Sequence, residues 1–499
     1  MDRIWIYATI ALIVWIIQLA YKTHTSPLHR IPGPLYTKFT RLPLKLSIIT
    51  GRRIHFIHSL HRAHGQIVRV SPSEISISSL PEFKEIHRPG SGFLKAEWYE
   101  KFVMSGTDTG KGLGNGKREL GVFAMRDPRE HAARRKLLAR AFSKSELRGT
   151  WEGVVREKVR IAVGKMKNEI EDGSKCDVMK WWTFLATDVA AQLMFGEDFG
   201  MVALGQKNEY IHILESTMKG SGINAELPLV GLIARHLPIA HIRSMFRASS
   251  YLTNYGRRAV TNARGNSASS RNIFSGMIHA SEKTDSSLTE ENVVTEAGNL
   301  IVAGSDTTAV TLTYLIWAVL SRPKLQKELQ NEVQGLAEGY GEADLEALPL
   351  LNAVIKETLR LYGAAPGSLP RSVPEGGATL AGYYIPGGTT VSTQSYTIHR
   401  DPEIYPNPED FDISRWLNDD EKNDLAAAMN MAFSPFGTGA RTCLGIHLAY
   451  MELRLAVAEF FRECPGVKLA GTVTSESMEF ENYFLIAPRG HACEVVRGD

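Results

Sequence analysis

The chain has only four cysteines, Cys176, Cys443, Cys464 and Cys493, among 499 residues. They are widely spaced and no CxxC pair occurs, which excludes a zinc ribbon and a disulfide-stapled scaffold and suits a reducing compartment. Neither sign of charge is in excess. The 57 Lys and Arg against 54 Asp and Glu leave a net +3, far from the basicity of a nucleic-acid binder, so no nucleic-acid partner is expected. Internal repeats and low-complexity segments are missing, and Asn262 to Ser270 reads as an ordinary polar loop. Phosphate loops are missing too. The glycine-rich Gly106 to Gly121 lacks G-x-x-x-x-G-K-[ST], because Lys111 stands where the first glycine belongs and Arg118 follows Lys117. It lacks G-x-G-x-x-G as well, and reads as a surface or lid loop.

Long apolar runs are scarce, with one exception at the N-terminus. Ile4 to Ala20 is apolar except for Thr9 and Gln18, with Trp5 and Trp15 placed as interface anchors. As a helix this run reaches roughly 25 Å, at the short end for a membrane span. A cleaved signal peptide is the rival, but its apolar core is usually shorter, and Gln18 does not suit the small-residue pattern before Ala20. Residues 1–22 are expected to be a single transmembrane anchor. Lys22, Arg30, Lys38, Arg41 and Lys45 follow it, against Arg3 and the amino terminus before it. That asymmetry places the large C-terminal part in the cytosol. No other stretch is expected to be long and apolar enough to span.

What is present is ordinary globular material: 43% hydrophobic and 22% charged residues, enough for one large core or two smaller ones. Ile31-Pro32-Gly33-Pro34 predicts a stiff, non-helical hinge within residues 23–45. Gln66 to Val70 and Glu74 to Ser78, around Ser71-Pro72-Ser73, predict a small hairpin. From Asp127 to Ala337 helical patterns dominate. Asp127 is an N-cap with Pro128 in the first turn and Glu130 three residues on. A second helix opens at Thr289, with Leu288 and Val293 as a hydrophobic staple, and runs to the break at Arg322-Pro323, roughly 45 Å. Beyond Tyr362 the chain turns to Gly, Pro and β-formers, as in Thr379 to Val391, and becomes helical again after Cys443. The expected fold is mainly α with a small β-rich lobe, residues 46–499 forming the catalytic domain.

The most informative segment is Phe436-Gly437-Thr438-Gly439-Ala440-Arg441-Thr442-Cys443-Leu444-Gly445. Two glycines before the cysteine allow a tight loop, and Gly445 lets a helix start close to a flat cofactor. The apolar run Leu448 to Phe461 puts the sulfur near a helix N-terminus, where N–H groups and the dipole favour thiolate. Phe436 can pack over the sulfur, and Arg441 offers a cation for a carboxylate. A lone cysteine is usually a buried structural one; the joint spacing of Phe436, Gly439, Arg441, Cys443 and Gly445 argues otherwise.

This segment matches F-x-x-G-x-R-x-C-x-G, the haem-binding signature of the cytochrome P450 superfamily, and the chain resembles that family along essentially its whole length. Three further motifs follow the family's pattern. Ala303-Gly304-Ser305-Asp306-Thr307-Thr308 resembles the oxygen-activation motif, which implies catalytic roles for Asp306 and Thr307. The glycine would permit close approach to haem and a local opening of the helix, the Thr307 hydroxyl would hydrogen-bond the oxygen being activated, and Asp306 would feed protons. Glu357-Thr358-Leu359-Arg360 resembles the family's E-x-x-R pair, completed by Arg415 in a variant of P-E-R-F, with a structural role. Alone E-x-x-R is weak, since an average chain of this length contains it roughly once by chance. His131 and Arg135 resemble the pair that grips a haem propionate, and Arg371 stands in the corresponding place after E-x-x-R. Ser414, where glutamate is common, and His131, where tryptophan is common, are the departures. The wording of Leu359 to Arg371 and Ile398 to Trp416 is similar to filamentous-fungal members of secondary metabolism.

The resemblance implies a cytochrome P450 fold with one N-terminal membrane anchor helix. The cofactor would be haem b (iron protoporphyrin IX), with Cys443 as the metal ligand and Arg441, Phe436, His131, Arg135 and Arg371 around it. The reaction would be hydroxylation or epoxidation of a lipophilic small molecule, a terpenoid, polyketide or alkaloid. No flavin or nicotinamide domain is visible, so an NADPH–cytochrome P450 reductase, with cytochrome b5 as a further donor, is the implied partner. The implied place is the endoplasmic reticulum membrane, single-pass, with the catalytic domain facing the cytosol. Phe102 to Gly121, Ile301 to Ser305, Ala364 to Leu369 and Asn482-Tyr483-Phe484 are the candidate substrate-facing stretches. Two rivals stand beside this reading: an isomerase or dehydratase that rearranges peroxides, and a non-catalytic haem-binding scaffold.

Overall fold

The structure, a computed structural model, describes residues 2–101, 120–208, 248–264, 289–417 and 424–498, with short stretches and single positions between 211 and 278. Most of Phe102 to Gly121, Leu288 of the expected staple, and 265–270 of the polar loop lie outside the described residues; 262–264, expected in that loop, are instead the last residues of a helix, Ala248–Arg264. The chain forms two compact units, Met1–Ala96 with Gly367–Ile398, and Glu97–Pro366 with His399–Asp499.

The first unit begins with helix α1, Asp2–Thr25, whose side chains Ile4, Trp5, Ile10, Ile13, Trp15 and Ile17 are exposed. The Pro-Gly-Pro segment is non-helical, as expected, but it is docked along a strand. Arg69 N–H donates to Pro32 O (2.7 Å), and a Cβ on Gly33 would fall 2.7 Å from Arg69 O, which with φ +150° leaves glycine as the fitting residue. The expected hairpin is β1 (Ile67–Ser71) antiparallel to β2 (Glu74–Ile77), with a register shift between Arg69 and Ser71. β3 (Leu94–Lys95), β4 (Arg371–Ser372) and β5 (Thr390–Ser392) complete a sheet of order β1-β2-β5-β4-β3, in which only β2 and β5 run parallel. Period-two alternation along β1 divides its side chains. Ile67 joins Ile75, Ile77, Phe93 and Val391 on one face, while Val68 and Val70 pack with Leu44, Ile57 and Leu60 on the other.

The second unit is mainly helical, its strands being two or three residues long. Helix α2, Pro128–Ala139, starts where expected, with Asp127 accepting from Arg129 N–H and Glu130 N–H. Helix α3, Val178–Phe195, packs along helix α4, Glu290–Leu320. Thr289 and Asn292 form a reciprocal capping box at the start of α4, and Ser321 closes it before Pro323 opens the next helix. Contrary to the sequence expectation, α4 is long and apolar enough to cross a membrane, yet most of it is buried inside the protein, as the core helix of this unit. Helices α5 (Pro349–Tyr362) and α6 (Ile446–Glu463) pack against it.

Candidate cofactor and active site

The segment before Cys443 is built by two glycines in the left-handed region, Gly437 (φ +69°) and Gly439 (φ +66°), which an L side chain would strain. One 3-10 turn, Gly439–Arg441, follows, and the Cys443 N–H closes the loop on Phe436 O at 2.8 Å. Phe436 packs its ring on Tyr450 of α6 (5.5 Å between centroids). Arg135 donates to Thr442 O (2.7 Å), and Arg441 donates to Met125 O and Arg126 O (2.8 and 3.1 Å). Both arginines therefore hold the loop and its neighbour by main-chain oxygens. His131 is buried one turn ahead of Arg135.

Cys443 is at once deeply set and accessible, the combination expected of a side chain that lines an internal space. A Cβ on Gly445 would meet no atom within 4 Å, so neighbouring protein does not require glycine there and the room beside it suits a flat group. Burial pushes the Cys443 thiol up, while the Gly445 N–H and the Arg135 cation pull the other way. The expected thiolate is thus not supplied by the helix terminus alone: desolvation outweighs it, and a bound metal cation is what would reverse the balance.

Helix α4 is exposed on one face in its middle. From 292 to 320 its residues are buried except Trp317 and a patch in which Ala303 is exposed and Leu300, Gly304, Asp306 and Thr307 are half-buried. Leu300, Ala303 and Thr307 recur at i, i+3 and i+7, one face of the helix. One expectation fails here. The helix does not open locally: it is α-helical throughout, and Thr307 Oγ1 donates to Ala303 O at 2.7 Å. Gly304 also packs on α3, where a Cβ would lie 3.2 Å from the Ala190 Cβ.

Glu357, Arg360 and Arg415 come together in the interior. Arg360 pairs bidentately with Glu357 (2.8 and 2.8 Å) and gives its other donors to His399 O, Pro408 O and Asp410 O (2.7, 2.7 and 2.9 Å). Arg415 Nε lies 3.4 Å from Glu357 Oε1, and the Asp412 N–H and the Trp416 indole N–H also donate to Glu357. His399, which sequence reasoning missed, carries the network onward. Its Nδ1 faces Arg360 O (2.9 Å) and its Nε2 accepts from Ser434 N–H (3.0 Å), two residues before Phe436. Burial first, then the nearby arginines, push its pKa down to about 3 from 6.5, so it stays neutral in the fold. The unfolded chain takes up the proton first as pH falls. Stability is accordingly expected to decline from about pH 6.5 toward 3, and His399→Asn to lack that part of the decline in denaturation midpoints measured against pH.

Comparison with known proteins decides what this assembly belongs to. The family described as Cytochrome P450 matches residues 37–492. The chain is 42% identical over 490 residues to the cytochrome P450 monooxygenase stcB of Emericella nidulans, covering 96% of this chain and 90% of that protein. It is 40% identical to cypX of Dothistroma septosporum (97% and 93% covered) and 38% identical to tazI of Aspergillus terreus (97% and 96%). This chain is a cytochrome P450. It is an oxidoreductase of the monooxygenase class with a haem cofactor, and the expected likeness to filamentous-fungal members is met by these relatives. The residues fit a haem: an accessible sulfur in a closed loop, space beside Gly445, and cations flanking the loop.

Arg371 belongs to the first unit, buried in β4, its Nη1 3.5 Å from Phe93 O and its Nη2 3.4 Å from His87 Nδ1. Ile301, Val302 and Ser305 are buried, leaving Ala303 as the exposed member of that candidate stretch. Ala364 O accepts from Ile486 N–H (2.9 Å), and Leu369 N–H donates to Thr393 O (2.8 Å). Phe484 closes a ring of four aromatics with Trp98, Tyr99 and Phe123, at 5.2–6.1 Å between neighbouring centroids. Sequence reasoning named Phe484 alone, since the other three are far away in sequence and carry no motif.

Proposed function

We propose that this P450 inserts one oxygen atom from O2 into a lipophilic small molecule, by hydroxylation or epoxidation, in fungal secondary metabolism, with a terpenoid, polyketide or alkaloid as the substrate class. The observation that carries the reading is the Cys443 sulfur, accessible inside a loop fixed by Gly437, Gly439 and the bond to Phe436 O. Haem b bound there supplies oxygen activation, favoured by the electron density of a thiolate ligand. Cys443 is the metal ligand, Phe436 shields the sulfur from water, and Arg441, Arg135 and His131 hold the carboxylate edge of the cofactor. For Arg371 the propionate role rests on its place in the family's motif alone. Glu357, Arg360 and Arg415 keep the loop in place and have no acid–base role.

Asp306 and Thr307 handle protons at the open patch of α4: Asp306 exchanges with solvent, and the Thr307 hydroxyl hands a proton on when it turns from Ala303 O. Thr307→Val is expected to lower product per NADPH by on the order of 10²-fold, with hydrogen peroxide released instead; peroxide and NADPH assays in parallel measure this. Electrons come from an NADPH–cytochrome P450 reductase, with cytochrome b5 as a further donor. Residues 1–22, in α1, anchor the chain once across the endoplasmic reticulum membrane, and 23–45 connect them to a cytosolic catalytic domain, 46–499; the exposed apolar side chains of α1 support this. The deciding experiment is the visible spectrum of the reduced protein under carbon monoxide. A strongly red-shifted Soret band is expected, and a histidine-type spectrum would sink the reading.

A further inference from the structure

Segment 120–126 lies where several ties of the second unit cross. The Val122 N–H and Arg134 Nη1 both donate to the same oxygen of Glu296 on α4, Oε1, at 2.8 and 3.0 Å. Gly121 approaches α4 so closely that a Cβ would fall 2.3 Å from Asn299 Nδ2 and 3.2 Å from Glu296 Oε2. Phe123, half-exposed, meets Tyr99 and Phe484 edge-on at 5.3 and 5.9 Å. Arg441 then holds the carbonyls of Met125 and Arg126.

Glu296 is an expensive choice for a purely packing role. Its side chain is fully buried, and Oε2 has no hydrogen-bond partner among the described residues. Burial outweighs Arg134 and the Val122 N–H and pushes the carboxyl up to about 7. What the position does supply is placement. Glu296, Leu300, Ala303 and Thr307 recur at i, i+4, i+7 and i+11, so the clamp on Val122 sits on the same side of the helix as the exposed patch, one buried turn before it and about 16 Å along the helix from Thr307.

We propose that Glu296 is a positioning residue for substrate: through the Val122 N–H it fixes Phe123 as an aromatic wall at the far end of the open face, and Phe123 sets how a flat apolar molecule lies before Thr307. This rests on the reading of Cys443 and haem given above. Nothing in the clamp touches reacting atoms, so its effect falls on ligand seating.

The test uses the haem-loaded full chain and 1-(4-phenylbenzyl)imidazole, whose imidazole nitrogen ligates haem iron while its long flat biphenyl tail reaches toward the wall; the Soret shift gives Kd. Glu296→Leu and Phe123→Ala are each expected to weaken binding about tenfold, with the reduced carbon monoxide spectrum unchanged. Because one acts through the other, the double variant is expected to bind no more weakly than Phe123→Ala. Glu296→Gln keeps an oxygen for Val122 and Arg134 and is expected to stay within about twofold of the parent. Additive losses in the double variant, or Glu296→Gln as weak as Glu296→Leu, would overturn the proposal. Should Glu296→Leu fail to load haem, Gly121→Ala forces the same segment off α4 without stranding Arg134, and additivity with Phe123→Ala there overturns it equally. A parent protein without the red-shifted band would instead overturn the cofactor reading. Amide exchange of 120–126, slow in the parent and Glu296→Gln and fast in Glu296→Leu, still decides the clamp.

Discussion

Cys443→Ser is expected to leave a folded protein without the red-shifted carbon monoxide band and with product formation at background, a loss on the order of 10³-fold or more, equal to about 4 kcal/mol of barrier. Serine is close to cysteine in size, its oxygen can accept from the Gly445 N–H as the sulfur does, and the other contacts that shape the loop do not involve the side chain. The positive φ values belong to Gly437 and Gly439, the closing bond runs from the backbone N–H of residue 443 to Phe436 O, and Arg135 holds Thr442 O. What changes is the donor. Burial already pushes the thiol up in the protein alone; a hydroxyl, far less acidic than a thiol, would have to ionise in the same dry place to give an anionic ligand. Metal binding can draw a proton from sulfur but not equally from an alcohol, so haem either leaves or stays without the electron-rich ligand that favours oxygen activation. Matching circular dichroism with absorbance at the Soret band separates these outcomes from unfolding. A variant that keeps both the band and turnover would remove Cys443 from the centre of the mechanism.

The elements that could be read from sequence are those whose physics is local. The bounds of α4 follow from a cap at Thr289 and a proline at 323, and the loop at Cys443 from two glycines that only a left-handed turn explains. The pairing of Glu357 with Arg360 needs only a helix and a spacing of three. Partners brought in from afar left no such trace. Glu296 meets Arg134 across 162 positions, and Trp416 meets Glu357 across 59. Gly304 shows the same limit from the other side: its smallness was legible, but its packing on Ala190 of α3 was not. The Pro-Gly-Pro segment likewise reads as a hinge from its own residues, and only Arg69 opposite Gly33 reveals that it is fastened down.

The other large effect is expected at Arg360, where even lysine should fail. All five guanidinium N–H groups are used: Nε and one Nη2 hydrogen on the Glu357 carboxylate, the rest on the carbonyls of His399, Pro408 and Asp410. Lysine offers three donors from one point and cannot reach five acceptors in a plane. Both Arg360 and Glu357 are without side-chain exposure, so the change strands buried oxygens and weakens the hold on a buried carboxylate. Breaking such a pair costs about 3–5 kcal/mol, a large share of a typical domain's 5–15 kcal/mol. The loss does not stay local, because His399 bridges Arg360 O to the Ser434 N–H at the entrance to the Cys443 loop. Arg360→Lys and Glu357→Ala should therefore lower the denaturation midpoint and the haem bound per chain together. Arg415→Lys should cost less, since its Nε contact with Glu357 is longer and its remaining bonds go to the Pro406 and Asn407 carbonyls. If Arg360→Lys lowers stability yet binds haem in full with an unchanged spectrum, the coupling through His399 is absent, and the pair supports the fold without shaping the loop that carries Cys443.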